Sequence, residues 1–255
     1  MLRRARGNRG DRDDGPPAGD RSAVTTKQVP RQKLFGTVAF FTGDPAPRFG
    51  ESVKSMQQML AYMRNDEIRL GWFGGVDVTG NLNEACRRTK GDWLWQTADD
   101  HIWEPDIIRR LEAHKVDVVV PHCLKRTPGF EPVLYGSSNG DVHQLAQIPE
   151  QGLFEVHAAG TAGMLIRKHV LDEIGDPWFE TYGKQNEDLM FCRKLREHGF
   201  TIWCDPSVLL GHIALTCVYP CWIEGEGWGV DMDLGGENGD QRVLMRRLGN
   251  SLTPS

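Results

Sequence analysis

The sequence predicts an α/β domain built on a doubly wound, mostly parallel sheet, and three observations predict it. Apolar runs alternate with stretches whose apolar residues recur at threes and fours, so the chain from Leu34 to Val120 reads β-α-β-α-β-α-β. The strand-like runs are apolar almost throughout, as strands covered on both faces are. One of them, Trp93-Leu94-Trp95-Gln96-Thr97-Ala98, ends abruptly in Asp99-Asp100-His101, at the kind of strand end where open α/β sheets collect their ligands.

The first strand is Leu34 to Phe41, closed by the loop Thr42-Gly43-Asp44-Pro45-Ala46-Pro47. From Ser52 to Arg64, Val53, Met56, Met59, Leu60 and Met63 recur at helical spacing and predict a helix whose Met-rich stripe packs in the core. Ile68 to Phe73 is the second strand. A loop, Asp77 to Asn81, leads into a helix expected over Leu82 to Thr89. After the third strand, Trp93 to Ala98, Pro105 suits the first turn of a helix ending near His114. Val116 to Pro121 is the fourth strand. Residues 122–155 are broken by Pro128-Gly129, Gly136, Gly140 and Gly152, which predicts extended segments and loops. A short helix is expected over Arg167 to Ile174. Glu187 to Gly199 is a stronger one, with Leu189, Phe191, Cys192 and Leu195 on one side and Gly199 at its end. Thr201 to Cys204 is a strand, Asp205-Pro206 a turn, and Val208 to His212 a further apolar run.

The 255 residues suit one large α/β domain or two small ones. Residues 1–32 are rich in Arg, Asp, Gly and Pro and read as a disordered leader. That leader carries a net charge of +4, which leaves −9 on the remainder. An acidic body argues against a protein that grips nucleic acid by electrostatics alone. The leader itself has the sign to touch an acidic surface. Residues 33–215 are read as the domain, and 216–255, rich in Gly and acids, as a flap or tail. No apolar run approaches the ~18–20 residues that span a bilayer. Arg3, Arg4 and Arg6 are not followed by the apolar stretch of a secretory signal. A cytoplasmic protein with no membrane span is therefore expected. The six cysteines are scattered without a C-x-x-C pair and read as reduced, buried thiols.

Two carboxylates and an imidazole at one strand end suit a hard divalent metal. Downstream, Gln185-Asn186-Glu187-Asp188 opens the Glu187 helix, Cys204-Asp205-Pro206 runs to Gly211-His212, and between them lies Gly160-Thr161-Ala162-Gly163-Met164-Leu165-Ile166-Arg167. Taken in order, these stretches resemble a family-2-type glycosyltransferase with the GT-A fold. The strand through Asp100 is similar to its Asp-x-Asp strand, Glu187-Asp188 to its Glu-Asp motif, and His212 to the late histidine of its metal site. Pro121-His122-Cys123-Leu124-Lys125-Arg126 resembles a stretch of phage and bacterial members. The resemblance covers residues 33–215.

It implies a single domain like that of nucleotide-diphospho-sugar transferases. The expected activity is a metal-dependent, inverting transfer from a nucleotide-diphosphate sugar to an acceptor hydroxyl, with Mn²⁺ or Mg²⁺ as cofactor. Asp188 is implied as the general base, held ionised by the positive end of its helix, with Glu187 beside it to orient the acceptor or the loop. Metal ligands are expected from Asp100, His101 and His212. The donor is expected near Thr42, Asp44, Asp77 and Asp99. Asn83 and Arg87 are expected to face the diphosphate, and Gly160 and Gly163 to let the backbone approach the sugar. Trp178 and Trp228 are candidates to stack on a sugar ring. One feature departs from the family's pattern. If Asp100 is the metal-binding position, Ala98 stands where a carboxylate is usual. Either Asp99 and His101 form a shifted Asp-x-His, or Asp100 works with His212.

Two other classes compete. A nucleotidyltransferase on a related fold calls for a Gly-rich, basic loop after the first strand, and Thr42 to Arg48 is poor in glycine. A non-catalytic nucleotide-sugar or carbohydrate-binding module is the other, with Ala98 in its favour. The acceptor class is open: glycan, protein, small molecule or modified nucleic acid.

Overall fold

A computed structural model describes residues 32–43, 49–75, 77–126, 130–181, 186–213, 217–225, 227–233 and 242–245. Strand β1 (Phe35–Thr42) is followed by helix α1 (Gly50–Tyr62) and strand β2 (Glu67–Gly74). Helix α2 (Val78–Arg87) leads into β3 (Trp93–Ala98). β1 lies between β2 and β3 and runs parallel to both. This is the doubly wound start that the alternating pattern predicts.

β3 shows why the sheet needs two covers. Its side chains alternate between faces. Trp93 and Trp95 pack with Phe40, Met59, Ile107, Ile108 and Leu111 on one side. Leu94 packs with Ala39, Leu82, Phe191 and Cys192 on the other. Both tryptophans are fully buried, and truncating either to alanine costs about 3–5 kcal/mol.

The Asp99-Asp100 turn is followed by the short strand β4 (His101–Trp103), then α3 (Ile107–Glu112) and β5 (Val118–Cys123). After β5 come β6 (Leu134–Ser138), β7 (Asp141–Gln144), β8 (Phe154–Val156) and β9 (Ala158–Ala159). β7, β6 and β9 make a separate three-stranded sheet. β10 (Leu165–Arg167) re-enters the main sheet antiparallel between β3 and β5. Helices α4 (Lys168–Ile174) and α5 (Glu187–Glu197) precede the long β11 (Ile202–Ile213).

β11 absorbs the turn expected at Asp205-Pro206. Its parallel pairing with β5 shifts register between Asp205 and Leu209, and the strand continues to Ile213. A proline has no N–H to give to the ladder, so it sits where the pairing is irregular. The far half of β11 pairs antiparallel with β4, which sets His212 opposite His101.

Beyond residue 216, where a flap or tail is expected, the described residues form β12 (Cys217–Ile223), β13 (Gly227–Asp233) and β14 (Arg242–Met245). They extend the sheet past β11 as an antiparallel meander. The many glycines hide the strand pattern there; the pairing partner is supplied by β11. The main sheet thus runs β14-β13-β12-β11-β5-β10-β3-β1-β2, with β4 and β8 also on β11. No helix among the described residues is long and apolar enough to cross a membrane.

Candidate active site

A cleft of about 320 Å³ opens at the carboxyl ends of β1 and β3. Its lining brings together Thr42, Asp99, Asp100, His101, Gly160, Glu187, Asp188 and His212. Eight of the residues singled out in the sequence therefore share one cavity, though they span 170 positions of the chain.

The metal-binding candidates form one corner. The rings of His101 and His212 stack with centroids 4.5 Å apart and planes 24° apart. Asp100 lies between their nitrogens: Oδ1 is 3.0 Å from His101 Nδ1 and Oδ2 is 3.6 Å from His212 Nε2. His212 Nδ1 is 2.9 Å from the Leu124 carbonyl. A carbonyl only accepts, so Nδ1 carries a proton, and Nε2 is the nitrogen turned toward Asp100. Burial works to raise the Asp100 pKa, but the adjoining His101 and His212 rings outweigh it and hold the carboxyl well below the usual carboxylate range. Burial pushes His101 down, against the pull of Asp100. Asp100 is thus held ionised and His101 is biased toward its neutral form, as a cation requires.

Two neighbours of this corner come from the Pro121–Arg126 stretch, to which the sequence assigns no role. The Cys123 thiol and the two imidazoles have donor atoms within 4.8 Å of one another. Burial lifts the Cys123 thiol to about 12. Arg126 Nη1 donates to Asp100 Oδ2 at 2.7 Å from an exposed position.

Asp188 lies on another wall, in the first turn of α5. Asn186 caps that helix by accepting from the Leu189 N–H at 3.2 Å. Thr161 Oγ donates to Asp188 Oδ1 at 2.7 Å. The other carboxylate oxygen faces Gly160, where an added Cβ would sit 3.7 Å from it and 3.1 Å from Val133. The helix end was expected to keep Asp188 strongly acidic. Instead its pKa is pushed up to about 6, by burial first and by the Glu187 charge next, with Thr161 pulling the other way. Desolvation outweighs the partial charge of a helix end.

Several expected donor contacts lie elsewhere. Asp44 is outside the described residues. Asp77 is exposed and caps α2, accepting from the Gly80 N–H at 2.8 Å. Asn83 is buried: its Oδ1 accepts from the Trp178 and Phe179 N–H groups and its Nδ2 donates to the Phe179 carbonyl. Arg87 grips Asp176 with two hydrogen bonds of 2.6 and 2.9 Å on the surface. Both are tertiary clasps, which an isolated polar residue on a helix does not announce. Gly163 is a turn glycine at φ +73°, where a Cβ would meet Pro121 at 2.5 Å. Its N–H bonds the Gln96 carbonyl, and its own carbonyl accepts from the Trp95 indole. Trp178 is in the core, with its indole donating to the Leu171 carbonyl. Trp228 packs edge-on against His122, centroids 4.4 Å apart. Neither tryptophan lines the cleft.

Comparison with known proteins agrees with this picture. The family model described as glycosyltransferase like family 2 matches residues 56–218. Among solved structures, A197 from STIV is similar over 82% of this chain and 94% of its own, at 15% identity and a TM-score of 0.52. GalNAc-T7 with UDP, GalNAc and Mn²⁺ is similar over 72% of this chain and 45% of its own, at 11% identity and a TM-score of 0.46. At 15% identity the likeness to A197 is one of fold alone. No curated protein sequence matches.

Proposed function

Since the chain belongs to glycosyltransferase-like family 2 and is a glycosyltransferase of GT-A type, we propose that it carries out a metal-dependent, inverting transfer. In this reading a nucleotide-diphosphate sugar is the donor and an acceptor hydroxyl attacks it. The observation that carries the proposal is the convergence of Asp188 with the Asp100–His101–His212 corner in one cleft.

Asp188 is the general base. A carboxyl with a pKa of about 6 is ionised near neutrality yet basic enough to take a proton efficiently. Thr161 holds one of its oxygens, and the absence of a side chain at Gly160 keeps the other open to the acceptor. As the acceptor oxygen bonds the anomeric carbon, its proton passes to Asp188. The bond from that carbon to the diphosphate breaks on the opposite face, so the configuration inverts. Glu187 borders the acceptor side.

Asp100, His101 and His212 would hold the metal, with Asp99 beside them toward the donor. The stacked imidazoles of His101 and His212 and the ionised carboxylate of Asp100 fit a divalent ion. Mn²⁺ suits such a mixed oxygen and nitrogen set better than Mg²⁺. When bound, the metal supplies positive charge to the departing diphosphate. Arg126, already within reach of that corner, offers a second cationic group for the same oxygens. Thr42 lies on the nucleoside side.

A thermal-shift panel of nucleotide sugars with and without Mn²⁺ tests the reading. Metal-dependent stabilisation by at least one donor is the expected result. Stabilisation by none, or by all donors equally without metal, defeats it.

A further inference from the structure

Gln96 is the feature of the cleft that the mechanism leaves unused. It sits in the middle of β3, is 1% exposed, and neither its side-chain oxygen nor its nitrogen has a hydrogen-bond partner. Its backbone is fully engaged, with N–H to the Met164 carbonyl and C=O from the Gly163 N–H. On alternation along the strand its side chain shares the face of Leu94, the face packed by α2 and α5. There it lines the cleft among Phe41, Val78, Leu82 and Ala162. An amide buried in apolar surroundings without partners is destabilising. A leucine at this position would complete the apolar pattern of β3 and remove that cost. A carboxamide kept on the floor of a ligand cleft has its partners in the ligand.

The geometry of the group says what kind of partner. A primary carboxamide offers one acceptor beside two donors in one plane. Its complement is a group with an N–H next to a C=O. We propose that Gln96 is the specificity residue of this site and reads an amide or imide of the substrate. That chemistry has two sources in a nucleotide sugar: the lactam or imide edge of the nucleobase, and an acetamido group on the sugar. The inference rests on the nucleotide-sugar reading above. A site that hydrogen-bonds a polar group discriminates strongly against analogues lacking it, because its own buried groups are then left unpaired.

The test compares wild-type protein with Gln96→Met, which keeps volume and removes both polar atoms. Dissociation constants are measured by calorimetry, with Mn²⁺ present, for UDP, UDP-glucose, UDP-N-acetylglucosamine, GDP and GDP-mannose. Gln96→Met is expected to unfold at the same temperature as wild type or higher. It is expected to bind the preferred ligand at least ~10-fold more weakly. Equal weakening of a nucleoside diphosphate and its sugars assigns the contact to the base. Weakening confined to the N-acetyl sugar assigns it to the acetamido group. As a measurement that does not depend on the variant folding, the Gln96 side-chain NH₂ resonance of wild type is followed by NMR; it is expected to shift with the same ligands. Binding by wild type with neither a loss in the variant nor a resonance shift overturns the inference and leaves the transferase reading standing. Binding of no ligand by wild type overturns both.

Discussion

His212 and Leu124 are 88 positions apart, yet the imidazole Nδ1–H of one donates to the carbonyl of the other at 2.9 Å. That single bond fixes the orientation of the ring and turns Nε2 toward the Asp100 carboxylate. Removing the ring therefore removes a proposed metal ligand without disturbing the backbone pairs of β11 with β4. His212→Ala is expected to lower Mn²⁺ affinity at least ~10-fold while the far-ultraviolet circular dichroism stays as in wild type. Titration calorimetry reads the first and a spectrum the second.

Asp188 sets the pH dependence. Its pKa is raised in the folded protein to about 6, and the proposed general base acts in the ionised form. kcat/KM is expected to rise with pH through a midpoint near that value, and Asp188→Asn to abolish transfer while keeping donor binding. Stability moves the other way. A carboxyl whose folded pKa lies above its unfolded value favours the fold fully below the unfolded pKa and loses that contribution as pH rises through the folded one. Wild type is therefore expected to lose stability relative to Asp188→Asn between about pH 4 and pH 6, by at most ~3 kcal/mol. Paired chemical denaturation across that range measures it.

Thr161 donates the hydrogen bond that favours the ionised carboxylate of Asp188. Thr161→Val keeps the shape and removes the donor. The acid limb of the kcat/KM profile is expected to move to higher pH, with a stability loss of about 1 kcal/mol. A profile that stays in place shows that Thr161 does not tune the base.

Arg126 and a bound divalent cation both draw on Asp100. Removing the guanidinium removes a competitor, so Arg126→Ala is expected to bind Mn²⁺ several-fold more tightly and to transfer sugar more slowly. The exposed guanidinium is screened by solvent, which keeps the affinity change modest. Electron paramagnetic resonance of free Mn²⁺ checks the first effect and a turnover assay the second.

Asn83 distinguishes a clasp from a donor contact. Its three hydrogen bonds tie α2 to the segment through Phe179. Asn83→Ala leaves those buried backbone groups unpaired and is expected to cost ~2–4 kcal/mol. Donor affinity of the folded fraction is expected to stay as in wild type, which calorimetry decides.

The sequence by itself determined the layer order of the first half, because the helical and strand periods there are regular and the strands are apolar on both faces. It determined the Asp99-Asp100-His101 strand end, since an abrupt change from tryptophans to carboxylates marks where a buried strand reaches the cleft. It also carried Asp188 and His212, through the order of their motifs. Tertiary structure alone decided the rest. Ionisation of Asp188 depends on what buries it, so an acid expected to stay strongly acidic became one with a raised pKa. Asn83 and Arg87 look like free polar groups until Phe179 and Asp176 arrive from some 90 positions away. The strands beyond residue 216 exist because β11 offers them an edge, and a glycine-rich stretch gives no periodic sign of that. The contacts of Thr161 and Arg126 and the buried setting of Gln96 come only from neighbours brought by folding. Periodicity is a local property that a sequence displays; hydrogen-bond partners and desolvation belong to pairs of distant residues, and only the fold makes those pairs.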